Sequence, residues 1–144
     1  MRSLRSFLVA FFLVALLVAA SGPTSIGAAS PNQAGGGITV VSNTGSGVAE
    51  VAFTGSLSGS ATEVFTAVVH DSGKVGVHGY GSFTGTFEGR SGSFTYRFNG
   101  HGEGASLAGQ ITIDRGTGDL SGIKGHLSYE GEGNDFTYDG WVAL

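Results

Sequence analysis

The sequence predicts an all-β protein, a single antiparallel β-barrel of about eight strands, and three observations predict it. Apolar side chains alternate with polar ones at a period of two along most of the chain from Ile38 onward, the spacing of strands with one buried face. Clusters of Gly, Ser and Thr separate these alternations, as tight turns require. No stretch beyond the N-terminal leader repeats with helical period. Glycine supplies 27 of the 144 residues against 2 prolines. The lack of a three-residue period excludes collagen, and the interleaved aromatic and β-branched residues argue against a disordered chain. Closing such strands into a barrel removes the exposed edges that a chain with few charges cannot guard.

The chain opens with a secretory signal layout. Arg2 and Arg5 form a positive start, Phe7 to Ala19 is an unbroken apolar run, and small residues with Pro23 follow. The run is shorter than the roughly 20 residues a permanent span needs, so no stable membrane span is expected once it is removed. Small residues at Val18-Ala19-Ala20 and at Gly27-Ala28-Ala29 both suit cleavage, and the second gives the expected organisation: signal peptide 1–29, flexible lead-in 30–37, barrel domain 38–144. The destination is secreted or periplasmic. The absence of cysteine excludes a lipid-modified N-terminus, disulfides and thiolate metal sites. The formal charge of −4 becomes −6 when Arg2 and Arg5 leave with the leader, which argues against nucleic acid as a partner.

The alternation sets the strands in order. Ile38 to Ser42 is the first, and Val51 and Phe53 mark the second. Ala61, Glu63, Phe65, Ala67 and Val69 share one face of the third; Val75, Val77, Gly79, Gly81, Phe83, Gly85 and Phe87 share one face of the fourth. A three-residue loop, Asp71-Ser72-Gly73 with Gly73 left-handed, places Val69 opposite Val75 and Ala67 opposite Val77, which makes the two apolar faces coincide. For the next hairpin, a turn over Gly89-Arg90-Ser91-Gly92 places Phe87 opposite Phe94, Phe83 opposite Phe98, and Gly85 opposite Tyr96. Leu107, Gly109, Ile111 and Ile113 then alternate; a turn-rich stretch leads to Leu127 and Tyr129, and Phe136, Tyr138, Gly140, Val142 and Leu144 share a face of the last strand.

Two phrases, Gly81 to Gly100 (GSFTGTFEGRSGSFTYRFNG) and Gly116 to Gly125 (GTGDLSGIKG), with the closing Tyr138, resemble a family of small bacterial proteins of unknown function. The resemblance spans the C-terminal two-thirds of the chain after the leader. It implies an allene oxide cyclase-like barrel, also similar to the plant dirigent proteins, with an apolar cavity along its axis. No local motif places the catalytic residues of those plant proteins on this sequence, and the leader departs from a family whose members mostly begin with the barrel.

The candidate ligand-binding residues are Glu63, Phe65, Phe83, Tyr96 and Tyr138. Glu63 is the one acid in phase with an inward apolar face. Inside a barrel mouth it could serve as a base or an anchor, its pKa raised by desolvation; a rim position or a bulge would instead leave it in water. Inward Tyr96 and Tyr138, with Tyr129, could line a pocket or fill a small barrel's core. His70, His78, His101 and His126 form no close pair with a locked carboxylate, so the expectation is a surface scatter and no metal. Trp141, out of phase with Phe136 and Tyr138, is expected to be partly exposed or covered by the N-terminal arm or another subunit. No nucleophile motif, phosphate loop or cofactor signature is present. Three functions remain open: a secreted barrel binding a small apolar molecule, an isomerase or cyclase using Glu63 with a tyrosine, and a structural or self-associating surface protein that could form a homo-oligomer.

Overall fold

The computed structural model describes residues 33–144, so the segment 1–29 expected to be a signal peptide lies outside the described residues. Every element is a strand: β1 (Gln33–Asn43), β2 (Val48–Gly55), β3 (Leu57–Val69), β4 (Lys74–Phe87), β5 (Arg90–Glu103), β6 (Ser106–Gly118), β7 (Lys124–Glu132) and β8 (Asp135–Ala143). Each strand pairs antiparallel with the next, and β1 returns to pair with β8, so the sheet is a closed up-and-down barrel. This is the architecture the alternation predicts.

The barrel begins earlier than the sequence reading places it. Gln33 to Gly37, read as part of a flexible lead-in, belongs to β1, with Gln33 opposite Trp141 and Gly37 between Thr137 and Thr54. A run of glycines carries no apolar phase, so periodicity passes over it. Here it is a ladder strand whose missing side chains admit close neighbours: a Cβ on Gly36 would overlap the Thr54 carbonyl.

The β3–β4 hairpin pairs Val69 with Val75 and Ala67 with Val77, as the phase argument requires, and Gly73 has φ 85°. The β4–β5 hairpin departs by four residues from the expected register. Its turn is Glu88-Gly89, with φ 49° and 77°, the two left-handed positions of a type I′ turn whose twist matches that of the strands. Phe83 therefore faces Phe94, and Gly81 faces Tyr96. An even slip leaves every side chain on its expected face, so the inward set survives while its positions along the axis change.

The two ends of the barrel differ. At the end bearing the Glu88-Gly89 turn, Phe83 and Phe94 stack with centroids 4.5 Å apart, and Phe53 meets Phe83 edge-on at 5.5 Å. Leu57 joins them, and Leu120 and Ile123 from the β6–β7 loop are fully buried in the same core. That loop follows a bulge at Arg115, where β6 gains one residue against β5 and φ is 43°. At the opposite end β3 and β4 run past the last β2 pair, Val48 with Val64, so Val68 and Val69 project into solvent. Ala67 and Val69 are inward by phase, yet they stand beyond the mouth.

Candidate functional site

Between the packed aromatic layer and the mouth lies a cavity of about 210 Å³. Ile38, Val40, Val51, Phe65, Val77, Phe98, Leu107, Ile111 and Phe136 form its apolar wall, Asn43 and Asn134 stand at its rim, and Glu63 and Tyr129 are the polar groups within. Taking roughly 30 Å³ per water molecule, the space equals about seven waters, enough for a small organic molecule. The lumen is thus filled at one end and open at the other.

Glu63 occupies this space because of one ladder row. Glu63 on β3 pairs with Gly81 on β4, which pairs with Tyr96 on β5. With no side chain at Gly81, the Tyr96 ring lies across β4, and a Cβ on Gly81 would overlap it. The Tyr96 hydroxyl donates to Glu63 Oε1 at 2.6 Å, the short distance of a charge-assisted bond. The other carboxylate oxygen has no protein partner among the described residues.

The same device recurs twice with a different end. Tyr129 shares a row with Gly109 and Gly100, and its hydroxyl donates to the Asn99 carbonyl at 2.9 Å. Tyr138 shares a row with Gly36 and Gly55; its hydroxyl donates to the Thr54 carbonyl at 3.0 Å and accepts from the Leu57 amide at 2.9 Å. Two tyrosines tie down backbone. Tyr96 instead holds a carboxylate.

The electrostatics follow from burial. Desolvation raises the Glu63 pKa above its ordinary 4.5, and the Tyr96 bond offsets part of that rise. Burial, then the adjacent Glu63 charge, push the Tyr96 hydroxyl far above its ordinary value, so it remains a donor. Tyr129 is pushed up to about 12 by burial and then by the charge of Glu63. Tyr138 is raised by burial against the opposing effect of the Leu57 amide.

A family model described as Protein of unknown function (DUF3224) matches residues 39–139. The chain belongs to that family. A crystal structure of a protein with unknown function from the DUF3224 family of Shewanella oneidensis MR-1 superimposes with a TM-score of 0.61 at 18% identity, covering 78% of this chain and 96% of that one. At that identity the likeness speaks to the barrel alone. No curated protein matches.

Of the five residues the sequence nominates, Glu63 and Phe65 line the cavity. Tyr96 reaches it through Glu63. Phe83 does not line it, being fully buried in the aromatic layer below. Tyr138 does not line it either, and both roles of its hydroxyl are taken by backbone near the filled end. Phe98 and Phe136 were legible as inward from their phase but not as cavity walls, since phase says nothing of height along the axis. Asn43 and Asn134 lie beside turns, where no periodicity signals them. Among the described residues no three His, Asp or Glu side chains gather as a metal site would need. Trp141 is half exposed on the outer wall.

Proposed function

We propose that this protein is an exported barrel that binds a small, mostly apolar molecule in the open half of its lumen, with Glu63 as the polar anchor. Export rests on the leader's layout. The observation that carries binding is the half-empty lumen in which one carboxylate, fixed by Tyr96, keeps a second oxygen unpartnered beside an aromatic wall. Small-molecule sites have this character, an apolar enclosure with few polar groups that set orientation. The volume is below the usual range for drug-sized ligands, which favours occupants of about seven to twelve non-hydrogen atoms.

The test is a panel of such molecules titrated into isotope-labelled protein while the resonances of Phe65, Val77 and Phe98 are followed. Trp141 is a poor reporter because its ring is outside the barrel. Saturable shifts confined to the cavity wall are expected, and Phe98→Trp, which fills the space, should abolish them. A broad panel without any saturable shift would sink the proposal.

A second reading makes Glu63 the base of an isomerase or cyclase. It is favoured by the same carboxylate lying inside an open cavity with raised basicity. Turnover by the native protein and its loss in Glu63→Gln, with ligand affinity retained, would select this reading over simple binding.

A further inference from the structure

The identity of the bound head group can be narrowed by charge. Among the described residues, Glu63 is the one ionisable acid or base lining the cavity apart from the Tyr129 phenol, and no Lys, Arg or His lines it. A ligand carboxylate would meet Glu63 with no cation to offset the repulsion. A neutral hydroxyl would satisfy the free oxygen of Glu63 but not its charge. A cationic head would do both, and the aromatic side chains of Phe65, Phe98 and Phe136 line the space it would enter.

The mouth is biased in the same sense. Asp71, Glu103, Glu132 and Asp135 stand exposed at the strand ends and turns of this end, and the nearby Lys74 is paired in register with Glu103. An opening of mostly negative charge draws in cations and turns away anions. The Tyr96 bond holds one carboxylate oxygen and leaves the other free, so the anchor is already held before a ligand arrives.

We infer that the occupant is a small apolar amine, held as its ammonium form with Glu63 as counter-ion. This rests on the binding reading above and adds the chemical class. Aromatic and alicyclic primary amines fit both the volume and the wall, whereas fatty-acid-like ligands do not.

The experiment compares three probes of one shape, benzylamine, benzyl alcohol and benzoate, by titration into the purified protein and into Glu63→Gln, which keeps an oxygen for Tyr96. In the native protein benzylamine should bind about tenfold more tightly than benzyl alcohol, with benzoate weakest. In Glu63→Gln the amine and the alcohol should bind alike. Equal binding of amine and alcohol by the native protein, or an amine preference that survives in Glu63→Gln, would overturn the amine inference and leave the binding reading standing. Absence of any lumen response to all three would overturn both.

Should Glu63→Gln not fold, the native protein carries the test through pH. The titratable groups facing Glu63 are the hydroxyls of Tyr96 and Tyr129, both of which stay protonated through the neutral and acid range. Its ladder neighbours Ala49 and Gly81 bear no charge. The amine preference should therefore shrink as acid protonates Glu63, and a preference independent of pH across that titration would refute the inference.

Discussion

The filled end and the mouth of the barrel are built from the same alternation and the same kinds of residue, yet one is a packed core and the other encloses a cavity. At the filled end, Phe83, Phe94, Leu57, Leu120 and Ile123 leave essentially no surface exposed, and the Tyr138 hydroxyl has both hydrogen bonds supplied by backbone. Toward the mouth, Val40, Phe65, Phe98 and Phe136 are only partly covered, and the Tyr96 hydroxyl has a carboxylate in place of backbone as its partner. The loop after β6 accounts for much of the contrast: two buried side chains from Asp119–Ile123 close one end, and the mouth has no counterpart among the described residues. A barrel of this size keeps a lumen open by withholding a plug, without needing a wider ring of strands.

The strongest way to break the comparison is to empty the filled end. Phe83→Ala should cost about 3–5 kcal/mol, the range for losing a buried ring, whereas Phe98→Ala at the mouth should cost about 1–2 kcal/mol because its ring already borders open space. Urea unfolding of both variants checks this, and equal costs would show that the mouth is packed as tightly as the floor.

Next in size is Gly81→Val. The new side chain must displace the Tyr96 ring, an overpacking cost of about 1–3 kcal/mol, and it should also separate Tyr96 from Glu63. Carbon-detected NMR of the Glu63 carboxyl should then show a higher titration midpoint than in the native protein. An unchanged midpoint would mean that the ring does not need the glycine.

Tyr96→Phe isolates the hydrogen bond itself and should cost about 1–2 kcal/mol at neutral pH. Its pH dependence has a definite sign. Glu63 binds its proton more tightly when folded than its ordinary value of 4.5. Stability therefore falls as pH rises from about 4.5 through the raised folded value, and acidification within that window restores it. Removing the Tyr96 donor widens the window upward, and Glu63→Gln abolishes it. Asp114 acts with the opposite sign: Lys124, 2.8 Å away, and the Arg115 amide hold it below its ordinary 3.8, so its contribution is lost only in stronger acid. Melting temperatures between pH 4.5 and 7 for the native protein and both variants test the assignment. The smallest expected effect is at the Glu88-Gly89 turn, where Glu88→Asn places a residue tolerant of left-handed φ and should stabilise by about 0.5 kcal/mol without altering the mouth.

The fold was largely legible because a period of two survives errors of register. The slip of four residues in β4–β5 moved Tyr96 from Gly85 to Gly81 and left it inward. Height along the axis is a different quantity, fixed by register and strand stagger together, and no local pattern carries it. That is why Phe83 and Tyr138 read as pocket residues when they belong to the floor and its fastenings, while Phe98 and Phe136 were known only as inward. Leu120 and Ile123 sit in a stretch rich in turn residues, where an isolated apolar side chain gives no sign that it folds back into a core. Glu63 was found by phase, and its importance came from the one thing phase cannot show, a tyrosine reaching it across a glycine two strands away.

The seam between β1 and β8 carries a consequence for how the molecule is made. Gln33 pairs with Trp141 and Ile38 with Phe136, contacts that join the first and last strands of the barrel and are the most expensive in loop entropy. Until β8 has been synthesised, the meander has two open edges and no enclosed lumen. Shortening the chain by a few C-terminal residues would open that seam, and size-exclusion chromatography should then show species that borrow the missing strand from a neighbour.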